Sequence, residues 1–245
     1  MNRFYHSKSI NINEFIVMDD LAAHHALKVL RLKKSDELIL FNGDGYDFQG
    51  QIINIVKKKV EVMIHSRRIV DNESDLKVTI LQTLTSNEKM DFIIQKTTEL
   101  GISEIQPIVC ERGIVKIKND KIEKRLLHWK QVSISACEQC GRAKIPVINK
   151  PENFTTYLEK IIMSDESLKI ILSPTAIKSL NEVSYNTGQD IKVLIGPEGG
   201  FSKKELELAT KNNFLPVKIG PRILRTETVP ISIMSILQYK YGDIV

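Results

Sequence analysis

The sequence predicts an α/β protein in two parts: a small β-rich segment carrying one helix, then a mostly parallel α/β domain. Three observations carry this. Residues 36–67 hold three alternating apolar and polar runs separated by turn residues. From residue 77 onward, short unbroken apolar runs alternate with helical patterns. The stretch between them, "VDNESDLK" (70–77), has no periodicity and few apolar residues, and reads as a linker.

In the first part, "DDLAAHHALKVLRL" (19–32) reads as a short helix with Asp19 or Asp20 as its N-cap. His24 and His25 on it could be ligands, although a surface or half-buried position is the commoner fate of such residues. The first two runs of 36–67 are joined by Asn42-Gly43-Asp44-Gly45, residues that tolerate positive φ and so mark a hairpin. "KKK" (57–59) makes the second turn. A small β-barrel with one helix is the simplest assembly of these pieces.

In the second part, "KVTILQTL" (77–84) is a strand, and "NEKMDFIIQKTTELG" (87–101) is a helix that Gly101 ends. "ISEIQPIVC" (102–110) is a strand and 119–141 a long helix, again closed by glycine. A helix over 154–163, strands over 168–173 and 191–196, a helix over 202–213, a strand over 215–220 and a helix over 230–242 complete the alternation. Unbroken apolar strands of this kind are buried on both faces.

The bulk numbers are those of a globular protein: 245 residues, 42% hydrophobic and 27% charged. No apolar stretch reaches the roughly 18–20 residues that span a bilayer, so no membrane partner is expected. The opening "MNRFYHSKSI" lacks the apolar segment of a secretory signal, which points to the cytoplasm. The net charge of +5 is compatible with a polyanionic partner. It is spread along the chain, with 11 Lys and Arg against 9 Asp and Glu in the first 72 residues and 24 against 21 in the rest. Cys137 and Cys140 form a C-x-x-C, but there is no second pair and no nearby histidine pair to complete a zinc site. Free thiols, and no metal, are the expectation.

Ligands of open α/β sheets bind beyond the carboxyl ends of the strands. Three late strands end here in unusual loops: "LSPTA" (172–176), "IGPEGGFS" (195–202) and "IGPRILRTETVP" (219–230). The middle loop is neither G-x-G-x-x-G nor a P-loop. Pro197 removes a backbone donor and Glu198 adds negative charge, whereas a phosphate cradle wants donors and cations. Ser202 and Glu205 spell a capping box that satisfies the next helix's own first N–H groups. A cationic or neutral ligand fits better than a phosphate, and a purely geometric tight turn is the alternative. In the third loop, Arg222 and Arg225 could clamp phosphates of a nucleic acid. The alternative is a surface pair salt-bridged to Glu227.

"IGPEGGFSKKE", "IGPRILRTET", "IIQKTTELGISEIQPIVCERG" (93–113) and "ACEQCGR" (136–142) occur together with an opening "RFY…HHALKVLRLKKSDELILFNGDG". In this combination the whole chain resembles the RsmE family, the bacterial 16S rRNA uridine N3-methyltransferases of the SPOUT superfamily. The resemblance implies a PUA-like RNA-binding β-barrel over residues 1–72. It implies a SPOUT methyltransferase α/β domain with a C-terminal trefoil knot over 73–245. It further implies S-adenosylmethionine as cofactor, a homodimer, and 16S rRNA in the small ribosomal subunit as partner. Carried onto this chain, the cofactor contacts are Leu172, Ser173, Pro174, Gly196, Pro197, Glu198, Gly199, Gly200, Ile219, Gly220, Ile223, Leu224, Arg225 and Thr226. Leu172, Ile195, Ile219, Ile223 and Leu224 can wall an adenine.

The acceptor implied is N3 of a uracil, which carries a proton and must lose it. Arg225 is the expected stabiliser of the resulting anion or of the adjacent phosphate, with Arg142 or Arg112 assisting. Glu198 is the candidate base or cofactor-aligning group. Arg3, Lys28, Arg31, Lys33, Lys34 and Arg112 are the expected grip on RNA. Three other functions fit less of the chain: ribose 2′-O methylation of tRNA on the same fold, RNA binding without catalysis, and a nucleotide-dependent enzyme on an ordinary doubly wound sheet.

Overall fold

The computed structural model describes residues 1–115, 119–161 and 165–245, with only the backbone of Asn119. The chain forms two compact units, one of residues 1–73 with 134–145, the other of residues 74–133 with 146–245.

The first unit is a mixed five-stranded sheet in the order β1-β3-β4-β5-β2. Its strands are β1 (Asn2–Tyr5), β2 (Phe15–Val17), β3 (Glu37–Phe41), β4 (Tyr46–Val56) and β5 (Lys59–Ile69). Gly43 (φ +97°) and Gly45 (φ +95°) turn β3 into β4, where the Asn42 and Asp44 side chains accept from the N–H groups of Asp44 and Tyr46. The three long strands fall where the alternation places them. The short β1 and β2 carry no such alternation and were not legible. No ladder joins β1 to β2 among the described residues, so the expected barrel is, in its hydrogen bonds, an open sheet.

The expected helix over 19–32 is shorter and irregular, with α1 (Asp20–His24) running into a π turn over His25–Val29. Asp19 holds the N-cap position, but its carboxylate accepts from Ser7 N–H (3.0 Å) and pairs with His6 (3.2 Å) instead of capping. Ala22, Ala23 and Ala26 pack on Phe4, Leu38, Leu40, Phe48, Ile52, Val62 and Ile64.

Asp47, 1% exposed, is a buried charge of this unit, and Arg3 (2.6 Å) and Arg68 (3.1 Å) neutralise it. Arg3 also donates to the carbonyl of Cys137 (2.7 Å) and lies over the Phe41 ring. Tyr5 N–H donates to Glu138 (3.0 Å), and Arg142 forms a fork on Glu73 (2.8 Å between Nη2 and Oε2). These bonds bind segment 134–145 into the unit, beside residues 1–73. The segment read as a linker is likewise anchored from Ser74 on: Leu76 is buried, and Ser74 donates to Gln238 Oε1 in the second unit (2.7 Å).

The second unit is a wholly parallel sheet in the order β12-β10-β11-β6-β7-β8, with β9 also on β7. The strands are β6 (Val78–Thr83), β7 (Glu104–Val109), β8 (Val147–Ile148), β9 (Glu152–Asn153), β10 (Leu168–Leu172), β11 (Ile191–Ile195) and β12 (Leu215–Val217). The helices are α2 (Asn87–Glu99), α3 (Asn119–Cys140, whose last residues belong to the first unit), α4 (Phe154–Lys160), α5 (Lys203–Lys211) and α6 (Thr228–Tyr241). Residues 162 and 163 of the expected 154–163 helix lie outside the described residues.

Side chains of each strand alternate between two cores. Ile80, Ile170 and Val193 pack with residues of α2 and α6. Their neighbours Leu81, Ile171 and Leu194 pack with Phe154, Leu158, Ala209 and Phe214 of α4, α5 and the turn after α5. Burial on both faces is why these strands read as unbroken apolar runs.

Among the described residues, no helix is long and apolar enough to cross a membrane. The three cysteines are free thiols, and burial pushes Cys110 and Cys137 up to about 12.

Gly101, at φ +81°, ends α2 in the left-handed region, and a Cβ there would lie 2.7 Å from Gln238 Nε2, which bonds the Leu100 carbonyl. Gly188, at φ +84°, has open space around the same position. Gly188→Ala is expected to lower stability by about 1–2 kcal/mol through backbone strain alone. Gly101→Ala is expected to cost at least about 1 kcal/mol more, through overpacking. Urea unfolding of the two variants measures the difference.

Candidate functional site

Three adjacent strands, β12, β10 and β11, end side by side, and their loops surround a cleft of about 420 Å³ in the second unit. That volume is typical of a small-molecule site. Each loop is fixed by bonds traceable to its sequence.

The middle loop turns where Gly200 N–H donates to the Pro197 carbonyl (2.8 Å), with Gly200 at φ +67°. The capping box forms as read: Glu205 accepts from Ser202 N–H (2.8 Å), and Ser202 Oγ accepts from Glu205 N–H (3.3 Å). The other Glu205 oxygen accepts from Glu111 N–H (2.8 Å). The helix end is therefore turned inward on its own glutamate, which leaves it poorly suited to an anion.

The third loop is tied to the middle one by Thr226, whose buried hydroxyl donates to the Gly196 carbonyl (3.2 Å). From β6, Thr83 Oγ1 donates to the Ile195 carbonyl (2.8 Å), and Gln82 Nε2 reaches Thr226 Oγ1 (3.5 Å). The first loop is held by Ser173 N–H on the Val217 carbonyl (3.0 Å). The chain between the first and second loops pairs with the start of the third, through Lys218 N–H to the Lys178 carbonyl and Leu180 N–H to the Lys218 carbonyl.

All the residues expected at the cofactor line the cleft except Arg225. The apolar set Leu172, Ile195, Ile219, Ile223 and Leu224 is complete in its walls. Arg112, expected at the RNA, lines the cleft and donates to the Gly199 carbonyl (3.3 Å), bracing the glycine loop.

Two expectations are corrected. Arg142 is 5% exposed, belongs to the first unit and forks onto Glu73, so its guanidinium is already committed. Arg3 is enclosed with Asp47 and is not part of a solvated basic face. Lys28, Arg31, Lys33 and Lys34 are exposed. The alternative of an arginine pair on Glu227 also changes, because the partner of Glu227 is Lys89 (3.2 Å).

Lys89 is the residue the sequence reading missed. It stands in the first turn of α2 and pairs with both Glu198 and Glu227, carboxylates from two different loops. Its hydrogen bonds to Glu198 and Glu227 raise its pKa above the ordinary lysine value. Burial pushes the Glu227 carboxyl up, but its own backbone N–H, Lys89 and Arg225 outweigh this and hold it below the ordinary range. One signal was present: a lysine in a first helical turn opposes the helix dipole and needs a local anion. Arg225 is exposed, and its charge acts on Glu227 without a direct ion pair among the described residues.

Among the described residues no group of three metal-ligating side chains converges. In the first unit, a hollow of about 320 Å³ is lined by Asp20, His24, Leu27, Lys28 and the turn lysines Lys57, Lys58 and Lys59. Lys57 (φ +47°) and Lys58 (φ +75°) hold left-handed conformations where Asn or Gly would be easier.

Comparison with known proteins places these features. Residues 72–238 match an RNA methyltransferase domain, and residues 19–64 an RNA methyltransferase PUA domain. The ribosomal RNA small subunit methyltransferase E of Buchnera aphidicola subsp. Schizaphis graminum is 38% identical over 99% of this chain and 97% of its own. That of Bacillus subtilis is 30% identical over 89% and 87%. A crystal structure of the Neisseria gonorrhoeae methyltransferase E bound to S-adenosylmethionine superposes with a TM-score of 0.92 at 33% identity over 100% of both chains. A methyltransferase from Legionella pneumophila in complex with the same cofactor gives 0.93 at 37% identity, over 99% of this chain and 98% of that one.

The Thr226 bond is open to test. Thr226→Val keeps the side chain's volume but leaves the Gly196 carbonyl without its donor, and is expected to cost about 1–3 kcal/mol. Thr226→Ser keeps the hydroxyl and is expected to lose less than about 1 kcal/mol. Equal losses in urea unfolding would show that the hydroxyl does not tie the loops.

Proposed function

The chain belongs to the ribosomal RNA small subunit methyltransferase E family, and from that premise we propose that it methylates N3 of one uridine in 16S rRNA, using S-adenosylmethionine bound in the cleft. The observation that carries the reading is the chemistry of that cleft. Leu172, Ile195, Ile219, Ile223 and Leu224 give it an apolar wall, its glycine loop exposes backbone, and the adjoining helix end is capped from within. Glu198 lines it together with Arg112, Lys218 and Arg222. The apolar wall and exposed backbone suit an adenosine, Glu198 suits its positive sulfur, and the capped helix end offers a polyphosphate no cradle.

Leu172, Ile195, Ile219 and Leu224 would hold the adenine, and the backbone of residues 196–200 the rest of the molecule. Bound there, the cofactor supplies a methyl group on a positively charged sulfur. The protein's part is to orient the acceptor, exclude water and help N3 give up its proton. Arg225, exposed and next to Thr226 of the cleft wall, would stabilise the uracil anion or hold a flanking phosphate. N3 lies on the pairing edge, so the target must be unpaired or turned out of its helix.

The remaining parts of the reading are proposals of the same kind. A PUA-like domain near residues 1–72 would grip RNA through Lys28, Arg31, Lys33 and Lys34. The lysines of the 57–59 turn extend that surface. A trefoil knot in the second domain, 73–245, belongs to the same reading and rests on the family. A homodimer likewise belongs to this reading and rests on the family. A cytoplasmic location follows from the substrate. Deletion of 1–72 would strip the partners of segment 134–145, so charge reversal of the exposed lysines is the cleaner probe of the grip.

The test is to incubate the protein with labelled S-adenosylmethionine and either small ribosomal subunits or tRNA, then digest and identify the labelled nucleoside. N3-methyluridine from 16S rRNA is expected, and a ribose methyl in tRNA would overturn the proposal. Arg225→Ala is expected to lower turnover roughly 10²–10³-fold while cofactor affinity holds.

A further inference from the structure

A second hollow, of about 150 Å³, adjoins the cleft. Pro197, Glu198 and Thr226 line both. Its other walls are Leu84 and Thr85 after β6, Ser86 and Lys89 at the start of α2, and Ile114 with Val115. We propose that this hollow seats the acceptor uracil, with Glu198 facing N3 and Lys89 facing a flanking carbonyl. The inference rests on the uridine-N3 reading above and adds the residues that recognise the base.

Size, chemistry and position agree. A cavity of about 150 Å³ is known to admit a benzene ring, the scale of a pyrimidine. The reactive edge of uracil presents a carbonyl, an N–H and a second carbonyl, so it needs an acceptor flanked by donors. The hollow supplies one carboxylate, Glu198, beside one ammonium, Lys89, and the hydroxyls of Thr85 and Ser86. Ser86 sits at the N-cap of α2, yet its side chain makes no capping bond, which leaves that hydroxyl for another partner. Leu84, Ile114, Val115 and Pro197 give the ring apolar faces.

Lys89 also has a second anion. When Glu198 turns to the base, Glu227 still balances the ammonium. The proton then has a route. N3–H passes its proton to the Glu198 carboxylate, and the negative charge spreads to the ring oxygens, where the Lys89 ammonium stabilises it. The lone pair on N3 forms the new N–C bond to the methyl carbon as the C–S bond breaks. The sulfur keeps that electron pair and becomes a neutral thioether. Glu198 gives the proton to solvent. The shared wall puts the acceptor beside the cleft from which the methyl comes.

The experiment uses the full chain with two kinds of variant. Ser86→Trp fills the hollow, and Lys89→Met removes the ammonium while keeping the stem. Binding of S-adenosylmethionine is measured by calorimetry, and methyl transfer to small ribosomal subunits by label incorporation with nucleoside identification. Both variants are expected to bind cofactor within about threefold of wild type while turnover falls roughly a hundredfold or more. Lys89→Arg is expected to recover part of it. Wild-type turnover in Ser86→Trp, or loss of cofactor binding in Lys89→Met, would overturn the assignment. If the wild-type protein labels a nucleoside other than N3-methyluridine, the uridine-N3 reading fails instead, and the two failures are told apart by that product.

Discussion

The site depends on one buried hydrogen bond, from the hydroxyl of Thr226 to the carbonyl of Gly196. The three loops around the cleft leave from separate strands, and loops with free ends cost conformational entropy to order. Thr226 joins the third loop to the second. Thr83 and Gln82 fix the same corner from β6, and Ser173 ties the first loop to the end of β12. Each of these bonds gives a carbonyl or hydroxyl at this corner a partner, as buried groups of that kind require. Leu172, Ile195 and Ile219 can then present an apolar wall without an exposed backbone behind it.

Charge is arranged on the same plan. The helix end at the cleft is already filled by Glu205, and the carboxylate that lines the cleft, Glu198, is held by Lys89. Lys89 keeps Glu198 and Glu227 from repelling each other across two loops. The pair is partly solvated, so its contribution to stability is small.

Most of the second unit was legible because two-sided burial writes itself as apolar runs, and because Gly101, Gly141 and the Ser202–Glu205 pair mark helix ends by local chemistry. The three cleft loops were legible for the same reason, as turn residues directly after strands. What escaped depends on distant partners. Lys89 gains its role from carboxylates 109 and 138 residues away, and no local pattern encodes them. Arg142 and Arg3 looked like available cations, but Glu73 and Asp47 engage them, and a cation's partner is set by the fold. The inclusion of residues 134–145 in the first unit was hidden likewise, since α3 reads as one continuous helix. Strands β8 and β9, two residues each, are too short to carry a period.

If the three-loop cleft takes a positively charged, phosphate-free adenosine, calorimetric titration of the protein with S-adenosylmethionine, alone and in a large excess of ATP, will reveal it. One site per chain for S-adenosylmethionine is expected, with no competition by ATP, which offers the same adenosine with a polyphosphate. Displacement of the cofactor by ATP at comparable concentration would contradict it.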